Sequence, residues 1–136
     1  MKKLGQKQFE SAKRFMKEKA REIDRVQFDY YFEQVPQERV IEELMKFQNA
    51  NGGFGHALEP DFRLKKSSPM ATAMAYQWYI KPLQIPPDHP VVQRSIRYLL
   101  DTYNLEEGRW KAVSKEVNQF PHAPWLHFDE LNNKPL

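Results

Sequence analysis

The sequence predicts an all-α protein built from helical hairpin repeats. Apolar residues recur at helical spacing in four separate stretches, and no alternating run is long enough to make a strand. A segment of helix followed by a glycine turn also occurs twice, 55 residues apart. At 136 residues the chain suits one domain.

The first stripe is Phe9, Ala12, Phe15, Met16, Ala20 and Ile23, and it can run on toward Phe28. Tyr30, Tyr31 and Phe32 are an aromatic cluster leading into the next turn. Pro36 fits the first turn of a second helix, whose stripe is Val40, Ile41, Leu44, Met45 and Phe47. Asn51-Gly52-Gly53-Phe54-Gly55 stops that helix, because glycine permits dihedrals that a side chain forbids. At least one of these glycines should have a positive φ, with Phe54 buried. Ser68-Pro69 opens a third helix with an oxygen cap and a preset proline dihedral. Its body, Met70 to Ile80, is apolar on nearly every side, as in a helix surrounded by others. Asp88 or His89 before Pro90 starts a fourth, with Val91, Val92, Ile96, Leu99, Leu100 and Tyr103 on its buried side. Beyond Glu107 the chain reads as loop, with Pro121, Pro124 and Pro135.

The repeat aligns Val40–Gly53 with Ser95–Gly108. Ile41 meets Ile96, Leu44 meets Leu99, Asn49 meets Asn104 and Gly53 meets Gly108; Phe54 and Trp110 follow their glycines closely. A period of this length points to stacked hairpins, where one hairpin cannot bury its apolar face alone. The domain is therefore 1–136, with repeats over about 9–55 and 68–110 and a loop-rich segment over 111–136.

Phe47-Gln48-Asn49-Ala50-Asn51-Gly52-Gly53-Phe54-Gly55 resembles the Gln-Asn/Asp-Gly-Gly-aromatic-Gly repeat of the terpenoid cyclase and protein prenyltransferase superfamily. Tyr103-Asn104 to Gly108-Arg109-Trp110 looks like a second, degenerate copy. The likeness covers about 36–111 and implies an α/α toroid, two concentric rings of helices, present here in part: two repeats and the beginning of another. The catalytic sets of that superfamily do not carry over. Nothing matches the Asp-rich acid motif of the cyclases, and the zinc set of the prenyltransferases needs a Cys that the chain lacks. A toroid also hosts many chemistries, so the resemblance speaks to fold more than to activity.

Composition narrows the classes further. Nine Phe, six Tyr and three Trp are too many for a solvating tail, and a mean hydropathy of -0.79 without a long apolar run predicts no membrane span. Without cysteine there is no disulfide framework, thiolate zinc site or cysteine nucleophile. Met1-Lys2-Lys3-Leu4-Gly5-Gln6 has charge but no apolar stretch behind it, so the reading is of a cytoplasmic protein without a secretory signal. Residues 1–25 carry nine Lys or Arg against four acids, yet Glu10, Glu18, Glu22 and Asp24 interleave with Lys13, Arg14, Lys17 and Arg21. That mixing describes a solvated helix face rather than a nucleic-acid arm.

The densest polar group is His56, Glu59, Asp61 and Arg63, between the glycine turn and the third helix. Glu59 and Asp61 are candidates for a general acid and base, and Arg63 for holding an anionic group. Their structural alternative is to cap local backbone donors or pair with Arg63. A metal site from His56, Glu59 and Asp61 matches no established spacing, so neither metal nor cofactor is expected. Tyr76, Trp78 and Trp125, with Tyr79, Trp110, His122 and His127, are candidates to line a pocket for a hydrophobic or sugar-like ligand. The glycines are no phosphate cradle, because neither Gly-Lys-Ser/Thr nor a βαβ unit accompanies them. Two functions follow: a ligand-binding, enzyme-like toroid, or a non-catalytic helical repeat that associates with itself or a partner. For assembly, the third helix should present an unpaired apolar flank to a second copy.

Overall fold

The computed structural model describes residues 3–111, 113–129, 131 and 134–135. Part of the basic N-terminus and part of the expected loop over 111–136 therefore lie outside the described residues. The chain divides into two compact units, Met1–Leu44 and Met45–Leu136. Among the described residues it is mostly helical, with five α-helices and two short antiparallel ladders.

The first unit carries α1 (Gln6–Lys19), α2 (Glu22–Phe32) and the body of α3 (Gln37–Met45). The continuous stripe expected from Phe9 to Ile23 is in fact two helices. Ala20 and Arg21 are extended, with ψ of 155° and 154°, and α2 restarts behind them. Glu22 and Asp24 occupy its first turn, where carboxylates favour the positive end of the helix dipole. Arg21 clamps Asp24 through Nε to Oδ2 at 2.6 Å and Nη2 to Oδ1 at 3.0 Å. The break turns Ile23 and Val26 into the core, while α1 buries no residue fully. Phe9 rests 6.1 Å from Phe28 and 5.4 Å from Phe32, so Phe32 closes α2 against α1. Lys17 to Asp29 at 2.5 Å and Lys13 to Glu33 at 2.7 Å join the same two helices. Helix α3 buries Val40, Ile41 and Leu44 of the predicted stripe, whereas Met45 is exposed and Phe47 lies half-buried beyond the helix end.

In the second unit, α4 (Pro69–Ala75) starts as predicted: the Ser68 hydroxyl accepts from Ala71 N at 3.0 Å and Pro69 occupies the first turn. It continues through a π-helical turn, Tyr76–Ile80. Helix α5 (Pro90–Thr102) starts behind His89, whose Nδ1 accepts from Val91 N at 3.2 Å. The buried side of α5 differs from the expected one by a step of one residue. Val91, Val92, Ser95 and Tyr98 are buried, whereas Ile96 is 39% and Leu100 70% exposed. Polar pairing accounts for the rotation: the Ser95 hydroxyl donates to Val92 O at 2.8 Å and meets the Tyr76 hydroxyl of α4's continuation at 2.9 Å. The third-helix flank that was expected to stand open is closed or half-closed instead. Ala71, Thr72, Ala75, Tyr79 and Ile80 are buried, Met70, Met74, Tyr76 and Trp78 half-buried, and of its apolar residues Ala73 is exposed. An open apolar face lies on α5 instead, at Ile96 and Leu100.

The segment expected to be strandless forms two ladders of two residues. Strand β1 (Tyr103–Asn104) pairs with β2 (Arg109–Trp110), and β3 (Phe128–Asp129) with β4 (Lys134–Pro135). The segment after β2 is also more than a loop. Val113, Val117 and Phe128 join Phe62 and Leu64 in a core cluster, with Met70, Phe120 and Leu126 packed on it.

The two copies of the repeat share a local conformation, with one correction. Each helix ends in an antiparallel turn, closed by Gln48 opposite Phe54 in the first copy and Tyr103 opposite Trp110 in the second. The second turn is one residue longer, so the offset grows from 55 to 56 within it. Gly108 is thus the counterpart of Gly52, not of Gly53. Both have positive φ, +90° and +64°, and Phe54 and Trp110 become strict equivalents. The match ends at burial. Ile41, Leu44 and Phe54 are buried, but Ile96 is exposed, Leu99 half-buried and Trp110 43% exposed.

Candidate functional site

The polar residues of the glycine turn point at neighbouring backbone. Gln48 Nε2 donates to Gly52 O and to Val91 O, both at 2.9 Å, tying the turn to the start of α5. Asn49 Nδ2 donates to Lys65 O at 3.1 Å and Ser67 Oγ at 3.0 Å, while Asn51 Oδ1 accepts from Ser67 Oγ at 2.7 Å. From α5, Arg94 Nη2 donates to Asn49 O at 2.8 Å. Phe54 N donates to the Thr72 hydroxyl at 3.0 Å, and Phe54 O accepts from Ser68 N at 3.0 Å. The turn therefore joins the approach to α4 with the start of α5, and Phe54 is fully buried as predicted. Buried backbone groups in a turn need such partners, and the Gln-Asn-x-Asn side chains supply them.

The loop beyond holds the sequence-predicted polar residues, three of them in one short stretch. His56 sits at φ +55° and is exposed, with Nε2 facing Asn49 Oδ1 at 2.8 Å. That oxygen only accepts, so Nε2 carries the proton there. Glu59 is half-buried and its Oε1 accepts from Asp61 N at 3.4 Å; Asp61 itself is exposed. Arg63 Nε donates to Pro60 O at 3.4 Å. The stretch is pinned by backbone bonds to the later segment: Arg63 N to Pro121 O at 3.1 Å and Ala123 N to Asp61 O at 2.9 Å, around a bridge of Phe62 with His122. Local capping, the alternative weighed for these carboxylates, is what Glu59 does. Among the described residues no group of three His, Asp or Glu side chains stands close enough to hold a metal ion.

The aromatic candidates occupy different surroundings. Tyr76 is half-buried, and its hydroxyl donates to Val92 O at 3.2 Å beside Ser95. Trp78 is half-buried in the π-helical turn, and Trp125 is 65% exposed on a 3-10 turn. His122 and His127 stack at 5.3 Å, with Nε2 of the first 3.1 Å from Nδ1 of the second.

A cleft of about 190 Å³ opens elsewhere in the second unit, lined by Leu64, Ser67, Ser68, Pro69, Tyr98, Thr102, Lys111 and Ser114. None of the candidate site residues singled out from sequence lines it. Tyr98 is 6% exposed. Burial pushes its phenol above the usual tyrosine range, so it is a protonated donor at neutral pH. At the rim, Glu116 is pulled down to about 2 by the Ser114 hydroxyl, its own backbone N–H and Lys66, whose Nζ is 3.2 Å away. The sequence carries a faint signal for the cleft: Tyr98 and Thr102, two hydroxyl residues, stand four apart on one side of α5. No family model matches the chain, nor does any curated protein or solved structure.

Proposed function

We propose that this chain is a non-catalytic helical-repeat module of the α/α-toroid kind, whose second repeat is completed by the helices of another copy. One observation carries the reading. Equivalent positions are closed in the first repeat and more open in the second: Ile41 is buried against an exposed Ile96, Phe54 against an exposed Trp110, and Leu44 against a half-buried Leu99. In a stack of repeats each hairpin covers the one before it, so a repeat with an open face is where another unit docks. Ile96 and Leu100 are four residues apart on one helix face, and Trp110 folds onto the end of that helix, its Nε1 donating to Leu99 O at 2.7 Å. The occupant that fits best is a second copy, because its helices carry the same repeat register. The contact is heterologous and generates a ring if its rotation closes. A closed ring would provide the cavity for the hydrophobic or sugar-like ligand that the repeat suggests. Glu59 and Asp61 serve this reading as loop-fixing groups.

The test is sedimentation velocity from roughly 1 to 100 μM, a span that resolves micromolar association. The wild-type chain is expected to shift to larger species as concentration rises, and Leu100→Glu to stay monomeric. Leu100 is 70% exposed, so the substitution removes contact area without opening the core. A wild-type chain that remains monomeric throughout would contradict the proposal.

A further inference from the structure

The cleft between the approach to α4 and the outer half of α5 has the makings of a small-molecule site. Its lining is unevenly functionalised. Leu64 and Pro69 give it apolar wall, and Lys111 is its one charged residue. Three of its five hydroxyls are engaged in known ways. Ser67 Oγ lies between Asn49 and Asn51, Ser68 Oγ accepts from Ala71 N, and Thr102 Oγ1 donates to Tyr98 O at 2.7 Å. Ser114 is turned to Glu116. Tyr98 is different. More than nine-tenths of the residue is buried, it lines the cleft, and no hydrogen-bond partner stands against its hydroxyl among the described residues.

The ring is buried, but the hydroxyl is not among the fully buried unpaired polar atoms, so it meets the water of the cleft, which a ligand oxygen can replace. The fold holds the ring in place. A methyl group on Gly53 would stand 2.7 Å from Tyr98 Cε1, so the bare glycine is what lets the ring lie there. Lys111 adds a cation with reach: its Nζ stands 5.4 Å from the Phe128 ring centroid, a weak and exposed contact that an anion can displace. Thr102 spends its proton on Tyr98 O and keeps lone pairs to accept from a ligand hydroxyl. The free functions are thus a phenol donor, the Ser68 proton, an ammonium and a hydroxyl acceptor, beside an apolar wall. The volume is that of roughly six liquid waters, enough for one monosaccharide-sized molecule.

We propose that this cleft binds a small hydroxylated carboxylate of the sugar-acid class. Lys111 and the Tyr98 hydroxyl take the carboxylate, Thr102 and Ser68 the ligand hydroxyls, and Leu64 and Pro69 the apolar side of the molecule. The site lies wholly within the second unit and does not depend on the docking of another copy.

Titration calorimetry of the full chain with D-glucuronate tests it, with D-glucose and inorganic phosphate as comparisons. Glucuronate is expected to bind one per chain, and glucose and phosphate each about tenfold more weakly, since each lacks half of the recognised chemistry. Tyr98→Phe keeps the ring and removes only an unpartnered hydroxyl, so the variant should fold with unchanged circular dichroism. It should weaken glucuronate by about tenfold, and Lys111→Gln by a similar factor. The proposal is overturned if folded wild-type protein takes up no glucuronate at about 10 mM, a concentration that detects even millimolar binding. Equal binding of glucose or of phosphate would also overturn it, as would affinity unchanged in Tyr98→Phe.

Discussion

Gly53 admits nothing larger than hydrogen. An added Cβ would stand 2.6 Å from Ser67 Cβ and 2.7 Å from the Tyr98 ring. Gly52 is restricted twice over, by its φ of +90° and by the Arg94 carbonyl pressed against it. Gly52→Val should therefore cost about 2–4 kcal/mol in urea unfolding, more than the ~1 kcal/mol of a helix-interior glycine change. A cost within a few tenths of zero would mean that the turn can relax. Glu116 gives a second residue-scale prediction. Its native value of about 2 lies below an ordinary 4.5, so its contribution is complete above 4.5 and disappears as pH falls toward 2. Solvent screens the group, so the effect is small. Glu116→Gln should lower stability slightly at pH 7 and flatten its fall between pH 5 and 2 in acid titration, so that variant and wild type converge near pH 2. At this scale the glycine turn was legible because positive φ has a residue-type signature. Tyr98 was not. Its isolation is a property of what surrounds it, and Ser67, Gly53 and Lys111 come to it from three separate parts of the sequence.

Among elements, the start of α4 is the most legible, because cap and proline act through adjacent backbone. Ser68→Ala should cost about 1 kcal/mol in thermal or urea unfolding through loss of the bond from Ala71 N. A neutral substitution would show that the helix start is fixed by Phe54 O and Ser68 N alone. The break between α1 and α2 has no such signature: Ala20 and Arg21 are ordinary helix formers, and a restart is favoured only by the acidic first turn and the Arg21 clamp on Asp24. The rotation of α5 was hidden for another reason. Beyond Val91 and Val92, which both arrangements bury, Ile96 and Leu99 are more apolar than Ser95 and Tyr98, and hydrophobicity alone chooses the first pair. The hydroxyl contact between Tyr76 and Ser95 and the space above Gly52 and Gly53 choose the second. Ser95→Val should therefore destabilise by about 1 kcal/mol despite adding apolar volume, measured by urea unfolding, because it removes one partner of a buried pair.

For the whole molecule, the exposed face that this rotation leaves on α5 is the central observation. The turn that ends each copy was legible in the sequence to within one residue, whereas the paired positions differ in burial, Ile41 and Leu44 being buried, Ile96 exposed and Leu99 half-buried. Which face would remain open was not legible, since it depends on how α5 is turned. Hydrogen exchange followed as a function of protein concentration tests the central claim most directly, because it reports protection residue by residue. If a second copy covers the open repeat, amides of the outer half of α5 and of the β1–β2 turn should exchange more slowly at high concentration than at low. Those of α4, already covered in the single chain, should not change. Protection on α5 and β1–β2 that is independent of concentration would contradict the account.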